Sequence, residues 1–178
     1  MLTTKRSRAS SVKGSRLHWS EQRTDAYFAW LGRDDDAELS DSVRLLESVP
    51  QLQELLDALQ IPTLVLNEKG QAVLLNRCWQ DRLGHELDLA LGQRPGELLN
   101  CIHAADGTDG CGTSEDCSRC GVAESIWESN RSHARTARDC DLQRVSAHST
   151  EVREWRVVST PLRVGGRSFT IFSVIEHA

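Results

Sequence analysis

No apolar run in this chain approaches the roughly 18 residues that a membrane-spanning helix needs. The opening Met1-Leu-Thr-Thr-Lys-Arg-Ser-Arg lacks the hydrophobic stretch of a secretory signal. Positive charge is not in excess either: 21 Lys and Arg stand against 26 Asp and Glu, a net charge of -5. Duplex nucleic acid, held chiefly by neutralising phosphates, is therefore a poor candidate ligand. Asp106 and Asp109 do not form the Asp-x-Asp-x-Asp-Gly calcium loop, and no Lys-Ser/Thr follows Gly110-Cys-Gly112 as a phosphate loop requires. No nucleophile–base pair emerges from the spacing, and Cys117-Ser-Arg-Cys120 does not follow a strand of a βαβ unit as a thioredoxin-like motif would. The expectation is a soluble cytoplasmic protein that is not an enzyme.

What the chain has instead is cysteine in one place. Cys101, Cys111, Cys117 and Cys120 fall within twenty residues, with Gly107, Gly110, Gly112 and Gly121 among them. In a reducing compartment such clusters read as metal ligands or redox thiols before disulfides. The spacing predicts a helix starting near Cys117, with Cys117 and Cys120 on one face of its first turn. Thr113 or Ser114 would cap it, and Asp116 would lie near its positive end. Amide N–H groups there favour thiolate over thiol. Four thiolates complete a tetrahedral zinc site and equally an all-cysteine iron–sulfur cluster. The intervening gaps of nine, five and two residues match neither the usual zinc pairs nor a ferredoxin run, so spacing alone leaves cluster, zinc and metal-free thiols open.

The rest of the chain divides into three segments. Residues 1–24, rich in Ser, Arg and Lys, predict a disordered basic tail. Residues 25–47 are expected to form a helical and acidic extension, and residues 48–178 a domain with its cysteine loop at 101–121. A helix is expected from Ser48–Pro50, with Leu52, Leu55, Leu56 and Leu59 as its apolar stripe, laid on a sheet or used to pair two copies. Strands are expected at 61–67 and 71–76, a short helix from Arg77 to Gly84, and a helix from about Cys117 to Ser129. Further strands follow at about 133–145, 151–163 and 167–175, the last two joined by Gly165-Gly166. That order gives an α+β fold: a five-stranded antiparallel sheet with helices on one face and an N-terminal helical extension.

Residues outside the loop receive plainer readings. His103 is either an exposed loop residue or a substitute ligand. Cys78 and Cys140 read as small core residues, with a second redox role the alternative for Cys140, and Trp79, Trp127 and Trp155 as core or pocket wall. Arg94 and Glu97, three apart, form a local ion pair or face a pocket, and Asn76 ties a strand end to the following helix.

Over roughly residues 48–177 the chain resembles the PAS domain. The likeness rests on Pro62-Thr-Leu-Val-Leu-Asn-Glu-Lys-Gly70, Val73-Leu-Leu-Asn76, Asn76-Arg77-Cys-Trp79, and the closing pair Arg153–Arg163 and Gly166–Val174. It is more narrowly similar to PAS sensor regions of bacterial histidine kinases with a Gly-x-Arg-Pro-Gly-Glu motif, a Cys, and Gly-Cys-Gly-Thr-Ser-x-x-Cys-x-x-Cys-Gly. Here these are Gly92–Glu97, Cys101 and Gly110–Gly121. The resemblance implies a two-component sensor that holds a metal centre on Cys101, Cys111, Cys117 and Cys120, with an iron–sulfur cluster ahead of zinc. Those kinases continue into a phosphorylated helix and an ATP-binding domain, whereas this chain ends at Ala178. A stand-alone sensor or a fragment is implied, with a histidine kinase, a regulator or a second copy as partner.

Overall fold

The computed structural model describes residues 32–83, 89–145 and 149–176. The expected basic tail, the start of the extension and the proposed helix stop at Gly84 lie outside these residues. Helix α1 (Asp36–Glu47) starts on a reciprocal cap: Asp35 accepts from the amides of Ala37 and Glu38, and the Glu38 carboxylate accepts from the Asp35 amide. Helix α2 (Leu52–Asp57) follows Gln51, whose left-handed backbone (φ 61°) separates the two helices. Strands β1 (Thr63–Leu66) and β2 (Ala72–Leu75) then form a hairpin, followed by α3 (Arg77–Leu83) and α4 (Pro95–Leu98). After the cysteine loop come α5 (Gly121–Ser132), β3 (Thr136–Val145), β4 (Thr150–Val164) and β5 (Arg167–Glu176).

The five strands form one antiparallel sheet in the order β2-β1-β5-β4-β3, the expected PAS-like architecture. Alternation along the strands divides their side chains between two cores. Leu64, Leu66, Phe172 and Val174 meet Trp79, Leu99, Val122 and Ile126 of the inter-strand helices on one face. Val65, Val73 and Phe169 meet Leu46 and Leu56 of the N-terminal helices on the other. Each large side chain buried this way contributes about 1.5–3 kcal/mol. Gly165 and Gly166, both at positive φ, close the β4–β5 turn against Leu45 of α1.

Three local expectations change. The α2 stripe is cut short because the helix ends at Asp57; Leu56 is buried, but Leu55 is 66% exposed and Leu59 40%. Cys117 lies in a separate 3-10 turn, Glu115–Arg119, and α5 begins only at Gly121 because Cys120 is extended (φ -76°, ψ 118°). Ser114 does not cap that turn with its side chain. Asn76 does tie its neighbourhood together: its amide donates to the carbonyls of Leu56, Leu59 and Ile61, and its oxygen accepts from the Thr63 amide.

Candidate functional site

The loop is sewn to the sheet at its start. After α4, Asn100 turns through a left-handed conformation (φ 55°) and ends the helix. The Cys101 amide donates back to the Gly96 carbonyl at 2.8 Å, and Cys101 bridges to Arg144 of β3. Arg144 donates to the Leu99 carbonyl, and the Val145 amide to that of Asn100, each at 2.8 Å. From there the chain passes a 3-10 turn at Ile102–Ala104 and the buried Cys111, then reaches the buried Cys117, and enters α5 through Cys120.

These four thiols come to one region of the fold. Each of Cys101, Cys111, Cys117 and Cys120 lies within electrostatic reach of the other three. Burial pushes the thiols of Cys101, Cys111 and Cys120 up from their ordinary pKa, and the adjoining sulfurs push the same way. Amide N–H groups act in the opposite sense. Those of His103 and Ala104 face Cys101, and those of Val122 and Ala123 face Cys120, although neither thiol forms a helix cap of ordinary hydrogen-bond geometry. The Gly96 amide donates to the Cys111 sulfur at 3.2 Å, and the Ser114 hydroxyl lies 3.2 Å from the Cys117 sulfur. N–H groups from the starts of three helical turns are thus presented to sulfur, an arrangement suited to negative charge.

The Gly-x-Arg-Pro-Gly-Glu segment is the second half of this site. A Cβ on Gly96 would stand 2.6 Å from the Cys111 sulfur and 3.4 Å from the Cys101 Cβ, so only glycine lets the two cysteines close over α4. Arg94, 0% exposed, donates to the carbonyls of Lys69, Asp109, Cys111 and Gly32, with the Asp109 carboxylate 3.5 Å away. Burial, and then the neighbouring Arg33, lower its pKa from the usual value. The Glu97 carboxylate accepts from the amides of Arg94 and Cys111 and from the Arg33 guanidinium. Arg33 also donates to Asp109 and to the Gly92 carbonyl. Arg94 and Glu97 are therefore struts that fix the backbone at Cys111, not walls of a pocket.

A thiolate-bound group fits this donor set in kind. Four thiols sharing one buried region repel as thiolates, and a bound cation reverses that penalty. The glycine cradle and the N–H groups aimed at sulfur suit the same species. As the side chains stand, however, no group of three or more His, Cys, Asp or Glu among the described residues is drawn together to hold a metal ion. His103 is partly buried, with Nε2 4.0 Å from Asp116. Trp79 and Trp155 are core residues whose indole N–H groups lack a hydrogen-bond partner, whereas Trp127 is half-buried beneath Arg131. Cys78 is half-buried, its thiol 3.6 Å from the Leu59 carbonyl.

Two participants were not foreseen. Arg33 joins from the extension, where a basic residue next to a run of acidic ones carries no signal. Cys140 packs against the same core as Cys101 and Cys120 and lies within their electrostatic reach. Its only sequence sign was a cysteine on the strand expected at about 133–145.

No family model and no curated protein matches this chain. Among solved structures it is similar to the PAS domain of BvgS from Bordetella pertussis at 16% identity, covering 71% of this chain and 83% of that one, with a TM-score of 0.43. It is also similar to the PAS domain of nitrogen regulation protein NR(II) from Vibrio parahaemolyticus (8% identity, 72% and 100% covered, TM-score 0.49). A third is the PAS domain of an HTR-like protein from Haloarcula marismortui (13% identity, 78% and 98% covered, TM-score 0.46). No helix among the described residues is long and apolar enough to cross a membrane.

Proposed function

We propose that this chain is a sensory module in which Cys101, Cys111, Cys117 and Cys120 hold a thiolate-bound metal centre, an iron–sulfur cluster ahead of zinc. The observation that supports the reading is that the four thiols lie within electrostatic reach of one another, with Gly96 leaving room for Cys111 and Cys101 and amides facing three of the four. A cluster, when bound, supplies redox chemistry sensitive to oxidants; zinc would hold the loop without it. The chain's own residues do the rest. Gly96 leaves room for Cys111, Arg94 and Glu97 fix the backbone on either side of it, and Arg33 connects that backbone to the segment entering α1. When the thiols lose their common ligand, Asp109 and Glu97 lose their fixed places and release Arg33. The N-terminal extension is then free to present a changed surface to a cytoplasmic signalling protein such as a histidine kinase or regulator, or to a second copy.

The test is a visible absorption spectrum of anaerobically purified protein with iron, acid-labile sulfide and zinc assayed on the same sample. Iron with sulfide supports the cluster, and zinc alone reduces the centre to a structural staple. Neither metal overturns the reading and leaves thiol–disulfide chemistry in its place.

A further inference from the structure

Cys140 stands outside the proposed ligand set, yet it faces it. On β3 it points to the same side as the buried Leu142 and packs, like Cys101 and Cys120, against the inner core. The backbone of α5 presses on it one residue beyond Cys120. A Cβ on Gly121 would stand 2.6 Å from the Cys140 Cβ and 3.7 Å from its Cα. Glycine at 121 is what permits this approach, and it brings Cys120 beside Cys140 at the seam between helix and strand. Cys140 also borders an open cavity of about 380 Å³ lined by Asp139, Asp141, Glu154 and Trp155. Asp139 there is paired with Arg156, and the opening admits a small neutral oxidant such as hydrogen peroxide.

We propose that Cys120 and Cys140 are an oxidisable pair that closes to a disulfide under peroxide and so withdraws Cys120 from the four-thiol site. One thiolate attacks a peroxide oxygen; the O–O bond breaks, a sulfenic acid forms and hydroxide leaves. The second thiolate attacks that sulfur; the S–S bond forms, the S–O bond breaks and a second hydroxide leaves. The hydroxides take up the two thiol protons, so two thiols and one peroxide give one disulfide and two waters. Cys78, on α3 against the Leu59 carbonyl, is a thiol outside this pair.

Only the consequence for the centre rests on the metal reading; the disulfide does not. Cleavage after Arg119, Arg131, Arg138 and Arg144 isolates Cys120 in peptide 120–131 and Cys140 in 139–144, while Cys101, Cys111 and Cys117 share 83–119 because Pro95 blocks the cut at Arg94. Peroxide-treated protein, both as purified and chelator-stripped, is alkylated and digested without reduction, then mapped by mass spectrometry. A dominant link between 120–131 and 139–144 in the stripped sample is expected. A link from 139–144 to 83–119, or none from 139–144, overturns the pair. Cys140→Ser and Cys140→Ala should keep their metal and lose it several-fold more slowly under peroxide. Loss of metal in both folded variants would make Cys140 a ligand and also overturn the proposal. A metal-free wild type that still forms the 120–140 link would defeat the metal reading alone.

Discussion

The sheet and the cysteine loop are built on opposite principles. Along β4 and β5 the register runs unbroken from Trp155↔Glu176 to Val164↔Arg167, and both sheet faces are covered by apolar side chains. Stability there is spread over area, so no single residue decides it. Between Cys101 and Cys120 only two short 3-10 turns are regular, and the chain is held at points: Arg94 on four carbonyls, Glu97 on two amides, Thr113 on the Gly110 carbonyl at 2.7 Å. A region fastened at points fails when one is removed. That is a liability in a scaffold.

The contrast is broken most severely by removing the proposed ligand. Structural zinc contributes on the order of 10–16 kcal/mol in small domains, so stripping should cost the loop several kcal/mol. Amide exchange across 101–121 should accelerate while β1, β4 and β5 keep their protection. Equal protection before and after stripping would mean the loop orders itself. Arg94→Ala comes next, because it strands the buried carbonyl of Cys111 and the carbonyls of Lys69, Asp109 and Gly32. A loss of about 3 kcal/mol in urea unfolding is expected, with early proteolysis confined to the loop. Asn76→Ala is the matching cut in the sheet region. It removes two accepted and three donated hydrogen bonds and should cost about 2 kcal/mol with metal content unchanged. Gly96→Ala should cost stability least, about 1–2 kcal/mol, yet empty the site by displacing the Cys111 sulfur. If the two effects rank the other way, Gly96 serves folding and not ligation.

Much of the scaffold was legible because strand alternation and turn glycines are local signals. The runs at Thr63–Leu66, Ala72–Leu75 and Arg167–Glu176 carry them plainly. Helix starts were less so. Cys117 seemed to open a helix, but the extended backbone at Cys120 breaks it into a 3-10 turn and α5, a choice made by packing against β3. The site was half legible. Cysteine spacing singled out four thiols as a candidate group, yet Arg94 and Glu97, read as a local ion pair or as pocket residues, also reach Gly32, Arg33, Asp109 and Cys111. Contacts across such sequence distances leave no periodic trace. Cys140 was hidden for the same reason, since only the fold brings β3 beside the N-terminus of α5.

Metal per chain, measured across single serine variants of all six cysteines purified without air, tests the central assignment most directly. Cys101→Ser, Cys111→Ser, Cys117→Ser and Cys120→Ser should each lose most of the metal, while Cys78→Ser and Cys140→Ser retain it. Equal loss in all six, or full retention in any of the first four, would contradict the assignment.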